Sequence, residues 1–129
     1  MNPEVNDAVA EICATFPDAE VRAVPDGNSG AFVIVDPVPL GEAYVQDSSW
    51  IGFQITFQYP LADVYPHFVR PDLARSDGTA LGEGFASTSW NCPENRPVVQ
   101  LSRRSNRLDP SVDTAAIKLL KVLQWLNKG

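Results

Sequence analysis

The feature that most restricts how this chain can fold is the regular spacing of prolines after its clearest strand pattern. The run FQITFQYP ends in Tyr59-Pro60, a second Tyr-Pro follows at Tyr65-Pro66, and Arg70-Pro71 closes the short apolar run HFV. Because proline has no N–H to donate to a β-ladder, these prolines belong outside a central strand. The sequence therefore predicts strands at residues 51–57 and 67–69, with a tight corner of the chain between them.

Hydrophobic periodicity predicts a helix at each end of the chain. Asn2-Pro3 has the capping chemistry of a helix start, and apolar residues at helical spacing then continue to Phe16. A second amphipathic pattern begins within residues 109–113 and runs to Leu126. The side chains that these patterns assign to the polar face of the last helix are Lys118 and Lys121. Cys13 lies on the flank of the first apolar face and is predicted to be a small buried thiol.

Short apolar runs predict an antiparallel sheet between the two helices. Besides the two strands beside the prolines, residues 19–24 and 31–35 are predicted strands, and PVVQL is a candidate for one more. Residues 72–97 carry little regular pattern and are predicted as a long irregular loop. The order predicts a single α+β domain over residues 1–129. Its N-terminal helix, four-stranded meander, irregular loop and C-terminal helix would place both helices on one face of the sheet.

Composition and charge exclude several classes of function. The net charge of −6 argues against a nucleic-acid binder. No apolar run approaches the ~18 residues of a membrane span, and the acidic N-terminus lacks a signal peptide's basic region. Two cysteines without a secretion signal indicate reduced thiols and a cytoplasmic protein. One histidine without a neighbouring cysteine makes no zinc site, and we predict neither a metal nor a cofactor.

The element order, with these prolines, resembles the ubiquitin-conjugating enzyme (UBC-like) fold family. That family has an N-terminal helix, a four-stranded antiparallel meander and a Tyr-Pro after its third strand, matched here by Tyr59-Pro60. A proline-rich segment, a fourth strand, an irregular active-site loop and a helix opened by a proline-containing turn complete the pattern. The resemblance covers nearly the whole chain in order, although the family usually spaces these prolines more closely.

The catalytic pattern of the family is where this sequence departs from it. An active conjugating enzyme carries His-Pro-Asn before its catalytic cysteine, and this chain has no such tripeptide. Counting back from Asp109-Pro110 puts the cysteine position near Val99-Gln100, where neither residue can form a thioester. Cys92, about eight residues earlier, is the one candidate nucleophile. Arg96 could lower the pKa of its thiol, whereas a lone loop cysteine is more often unreactive.

Basic and apolar residues near the last helix form a candidate partner-binding surface. Ile117 and Trp125 fall away from the main apolar face, on either side of Lys121, and tryptophan is enriched in binding hot spots. The alternative is that the sheet or the loop covers them. Arg103 and Arg104 belong to a run of arginines that suits either an acidic protein partner or a solvated loop.

The resemblance leads to two hypotheses about function. In the first, the domain is a non-catalytic relative of conjugating enzymes in a bacterial ubiquitin-like protein pathway. Such pathways encode a ubiquitin-like protein, an activating enzyme, a conjugating enzyme and a protease together, often for antiphage defence. The domain would then be a partner or scaffold of the activating or conjugating enzyme. In the second, it is an active conjugating enzyme that carries a ubiquitin-like protein as a thioester on Cys92, which needs an exposed thiol of low pKa.

Overall fold

The chain folds as an α+β domain with one helix at each end and six strands between them. The computed structural model describes residues 1–92 and 94–128, so Pro93 and Gly129 lie outside the described residues. In chain order the elements are α1 Pro3–Thr15, β1 Glu20–Pro25, β2 Ala31–Pro39, β3 Ser48–Ile55, β4 His67–Val69, β5 Phe85–Asn91, β6 Asn95–Leu101 and α2 Ala115–Asn127.

The strands form one antiparallel sheet in the order β1-β2-β3-β4-β6-β5. The first four follow one another as a meander, and the β5–β6 hairpin continues the sheet by pairing β6 with β4. The predicted four strands therefore understate the sheet, because β5 lies inside the segment predicted to be irregular. That strand reads FASTSWN and is mostly exposed at the sheet edge, so it lacks the apolar alternation that identifies a half-buried strand.

Both helices pack on one face of the sheet, where the main core lies. Val5, Ala8 and Ile12 of α1 and Leu119 and Val122 of α2 belong to the same buried cluster. The strand residues in this cluster include Ala31, Val33, Val35, Ile51, Phe53, Ile55, Val69, Val99 and Leu101. Their alternate spacing along each strand is what a sheet with one face against helices requires.

The opposite face of the sheet carries a second, smaller core built around Trp90. Its ring lies between Phe68, with ring centroids 4.7 Å apart, and Trp50, at 6.3 Å. Gly52 on β3 makes room for it, because a Cβ at that position would overlap the Trp90 ring. The end of the β5–β6 hairpin therefore covers this face, and Trp90 closes it.

The helix boundaries largely follow the predicted signals. The Asn2 side chain accepts a hydrogen bond from the Val5 N–H at 2.9 Å, and α1 ends at Thr15 before Pro17. At the other end, α2 begins only at Ala115, with Thr114 as its cap. Val112, assigned to the apolar face of this helix, therefore precedes it and is exposed.

The proline corner places one tyrosine against the last helix. Strand β3 ends at Ile55, two residues earlier than predicted, and the chain then turns through residues 56–62. The Ala115 N–H at the start of α2 donates a hydrogen bond to the Tyr59 hydroxyl at 3.0 Å. This bond satisfies one of the unpaired donors of the first helical turn and fixes the corner to α2.

Candidate functional site

Cys92 lies at the end of the β5–β6 hairpin and is only 4% exposed. It packs with Phe68, Trp90 and Val98 on the face of the sheet away from the helices. Burial raises the pKa of its thiol, and the Arg96 guanidinium offsets only part of that rise. The Arg96 side chain instead donates to the Cys92 carbonyl oxygen at 3.0 Å. The site therefore lacks the exposed, low-pKa thiol that a thioester-forming cysteine needs.

The other cysteine and the counted-back cysteine position also differ from a nucleophilic site. Cys13, predicted to be buried, is exposed, because it lies on the solvent side of α1. Val99 and Gln100 lie within β6, paired with β4 on one side and β5 on the other. A residue in that position is held in the middle of the sheet, where no loop surrounds it.

Half of the chain's ten Lys and Arg side chains line one cavity of about 250 Å³, between the loop after β6 and α2. They are Arg103, Arg104, Arg107, Lys118 and Lys121. The cavity thus contains three of the five residues predicted to bind a partner: Arg103, Arg104 and Lys121. Arg96, which precedes them in sequence, lies elsewhere, over the Trp50 ring. Two of these arginines lie against aromatic rings. The Arg103 guanidinium is 5.1 Å from the centroid of the Trp125 ring, and the Arg104 guanidinium is 4.5 Å from the centroid of the Tyr65 ring.

The floor of the basic cavity is a buried ion pair. Lys118 was predicted on the polar face of α2, but its side chain is only 6% exposed and its ammonium lies 3.1 Å from the Asp63 carboxylate. The Lys118 ammonium also donates to the Ser105 hydroxyl, at 2.9 Å, and that hydroxyl donates to Asp63, at 3.0 Å. Burial alone would raise the pKa of Asp63, but hydrogen bonds from Ser105 and Lys118 together lower it.

The two remaining predicted residues, Ile117 and Trp125, are half-buried. The Trp125 ring stacks on Phe85 with centroids 4.9 Å apart, and a Cβ on Gly84 would approach it to 2.8 Å. Both of the covers that the sequence left open therefore contact Trp125: Phe85 at the start of β5 in the sheet, and Gly84 in the loop before it. The exposed edge of Trp125 is under Arg103 rather than in open solvent.

An apolar groove that the sequence did not predict lies beside the proline corner. It has a volume of about 540 Å³ and is lined by Glu4 of α1 and residues 57–62. Phe57, the last residue of the strand predicted at residues 51–57, lies beyond the end of β3 and is 50% exposed. Leu61 is 77% exposed. The only sequence signal for this groove is that two apolar residues lie beside Pro60, where a strand cannot continue.

His67 on β4 is fully buried, and the charges of Lys118 and Asp63 act on its ring. Within residues 1–92 and 94–128, neither of its ring nitrogens has a hydrogen-bond partner. Its ring packs against Phe53, with centroids 5.0 Å apart. Burial, reinforced by the positive charge of Lys118, lowers the pKa of His67 from 6.5 to about 3. The folded chain therefore holds this imidazole neutral.

We expect the neutral His67 to make the fold sensitive to mild acid. Between about pH 3 and 6.5 the unfolded chain binds a proton that the folded chain does not, so stability falls as pH falls through this window. The loss is about 1.4 kcal/mol per pH unit. Replacing His67 with Leu removes this linkage, so urea unfolding should show a loss from pH 7 to pH 5 that is about 2 kcal/mol smaller than in the wild type. An unchanged pH dependence in the variant would contradict the buried neutral imidazole.

The described ranges contain no group of three or more His, Cys, Asp or Glu side chains that could hold a metal ion. None of the helices in those same ranges is long and apolar enough to cross a membrane. No protein-family model matches the sequence, and no curated protein or solved structure is significantly similar to it.

Proposed function

We propose that this chain is a non-catalytic binding module with a UBC-like fold. It acts in a bacterial ubiquitin-like protein conjugation pathway, a class of pathway that includes those of antiphage defence. In this role it is a cytoplasmic partner or scaffold of the ubiquitin-like protein or of its activating or conjugating enzyme. Supporting the fold assignment are the N-terminal helix, the β1–β4 meander, the Tyr-Pro after β3 and the closing helix.

The observation that supports a binding role best is the apolar groove at residues 57–62. A monomeric domain rarely exposes neighbouring large apolar side chains, and such patches mark sites of protein interaction. Phe57 and Leu61 are exposed on a segment that is itself fixed, because Tyr59 is hydrogen-bonded to the start of α2. A fixed apolar surface binds a partner at a lower entropic cost than a flexible one. Glu4 at the rim favours a partner with a basic residue beside its apolar contact.

The buried state of Cys92 is the reason to propose a binding module rather than a conjugating enzyme. A transfer enzyme must present its thiolate to the activating enzyme and then to an amine. Cys92 is enclosed by Phe68, Trp90 and Val98, and burial raises the pKa of its thiol. Thioester formation on Cys92 is therefore the alternative outcome that the experiment must detect.

We expect replacement of Leu61 by Asp to weaken partner binding by at least about ten-fold, because a charge in the centre of an apolar contact must be desolvated. The measurement is calorimetric titration or co-elution with a bacterial ubiquitin-like protein and with the activating and conjugating enzymes of the same pathway. Since the side chain is 77% exposed, the variant should unfold at the same temperature as the wild type.

The matched control is Val45→Asp, which changes another exposed apolar side chain outside the groove and should leave binding unchanged. A non-reducing gel of a mixture with ATP is run in parallel. A thiol-sensitive adduct that disappears in Cys92→Ala would replace the proposal with the enzyme alternative. If Leu61→Asp and Val45→Asp weaken binding equally, the groove is rejected as the docking surface.

A further inference from the structure

The cations around the basic cavity exceed the acids that face them. Five cationic side chains line the cavity, against one lining carboxylate, Asp113, and a second, Asp63, behind the floor. Lys121 pairs with Asp113 and Lys118 with Asp63, each at 3.1 Å. Among the residues that the structure describes, none of the three arginines forms an ion pair with a carboxylate. The cavity therefore carries a surplus of three positive charges in a chain whose net charge is −6.

A buried lysine at the floor distinguishes this cavity from an ordinary basic surface. The Lys118 side chain is 94% buried, since 6% of it is exposed, and yet it lines the cavity. An ammonium group has three N–H donors, and within the described residues two of them are used, by Asp63 and Ser105. One N–H of this ammonium therefore has no hydrogen-bond partner among the described residues.

The guanidinium groups at the rim are also held in place before any ligand arrives. Arg103 lies over the Trp125 ring and Arg104 over the Tyr65 ring. Contact with an aromatic face restricts the rotamers of a long side chain. A guanidinium fork that is already oriented can bind two oxygens of an anion at a reduced entropic cost.

We propose that this cavity is a binding site for a phosphoryl group carried by a small molecule or present as free phosphate. The third donor of Lys118 binds an oxygen at the floor, and Arg104 and Arg107 bind oxygens at the rim. A surplus of three charges favours a dianion over a carboxylate, because the attraction grows with the ligand's charge. The site uses none of the groove residues, so it stands or falls independently of the docking role.

The experiment is titration of the whole chain with inorganic phosphate, sulfate or acetate at constant ionic strength. Binding is monitored by the amide chemical shifts in NMR spectra. Phosphate and sulfate should shift the amides of residues 102–107 saturably, and acetate should bind about ten-fold more weakly or not at all. Arg107→Gln should weaken phosphate binding by about ten-fold, because one charge-assisted hydrogen bond is lost. Arg22→Gln, an exposed arginine on β1, is the matched control and should bind like the wild type.

Three results would overturn the phosphoryl site. The first is amide shifts in phosphate that are no larger than those in chloride. The second is an equal loss of phosphate affinity in Arg107→Gln and Arg22→Gln. The third is acetate binding as tight as phosphate binding. Saturable phosphate binding in a chain that captures no protein partner would support this site while rejecting the docking role. Arg107→Gln is preferred to a Lys118 variant, because its side chain is exposed and its loss leaves no carboxylate unpaired.

Discussion

Replacing Asp63 with Ala is expected to destabilise the folded chain by about 3 kcal/mol or more, because it leaves the buried Lys118 ammonium without its counter-ion. Lys118 and Asp63 are joined by a hydrogen-bonded ion pair of 3.1 Å, and both also bond to Ser105. Because the Lys118 side chain is only 6% exposed, water can replace only part of the lost carboxylate. Urea unfolding at pH 7 measures the free-energy change directly.

The chain supplies a matched control for that experiment on the same helix. Lys121 and Asp113 are separated by the same 3.1 Å, but the Lys121 side chain is 64% exposed. Asp113→Ala leaves that solvated ammonium unpaired, so it should reduce stability by clearly less than Asp63→Ala does. Equal effects of Asp63→Ala and Asp113→Ala would show that burial does not govern the Asp63–Lys118 pair.

A double variant separates the ion pair from the packing around it. Asp63→Ala with Lys118→Met removes both charges and keeps the length of the lysine side chain. It should recover a large part of the loss seen in Asp63→Ala alone, since replacing a buried ion pair by apolar residues is often nearly neutral. A double variant less stable than Asp63→Ala would instead mean that the Lys118 ammonium has a further stabilising partner.

Local sequence signals predicted the elements whose chemistry is local. The Asn2 cap and the end of α1 before Pro17 depend on neighbours in sequence, and the structure confirms both. The strand predicted at residues 51–57 also forms, but it runs from Ser48 to Ile55. Strand β5 depends instead on a distant partner. Its Ser and Thr residues show no apolar periodicity, and β5 joins the sheet through main-chain hydrogen bonds to β6.

The candidate sites were harder to predict than the fold, because they depend on which loop covers which side chain. Periodicity placed Lys118 with Lys121 on the polar face of α2. Only the position of Asp63, 55 residues earlier in the chain, explains why Lys118 is buried. Cys92 does lie in the turn between β5 and β6, but its side chain is buried against Phe68, Trp90 and Val98, which no local pattern indicates.

The largest effect expected on the other face of the sheet comes from Trp90→Ala, which should destabilise the chain by about 3–5 kcal/mol. The ring is 7% exposed and is stacked between Phe68 and Trp50, so its removal leaves a cavity that rigid strands cannot close. Gly52→Ala should also destabilise the chain, because the added methyl group occupies the position of the Trp90 ring. In the Trp90→Ala background the same glycine substitution should cost little, since the obstructing ring is absent.

Trp90→Ala also tests whether packing keeps Cys92 from acting as a nucleophile. In a Cys13→Ser background, where Cys92 is the remaining thiol, labelling by an aromatic disulfide should be slow, because Cys92 is 4% exposed and burial raises its pKa. Trp90→Ala should accelerate that labelling by at least about ten-fold under native conditions, since it lowers the free energy needed to open the hairpin. Labelling of wild-type Cys92 as fast as that of Cys13 would contradict its burial and return it as a candidate nucleophile. Slow labelling that Trp90→Ala accelerates would instead mean that packing on Trp90, rather than chemistry, determines the environment of Cys92.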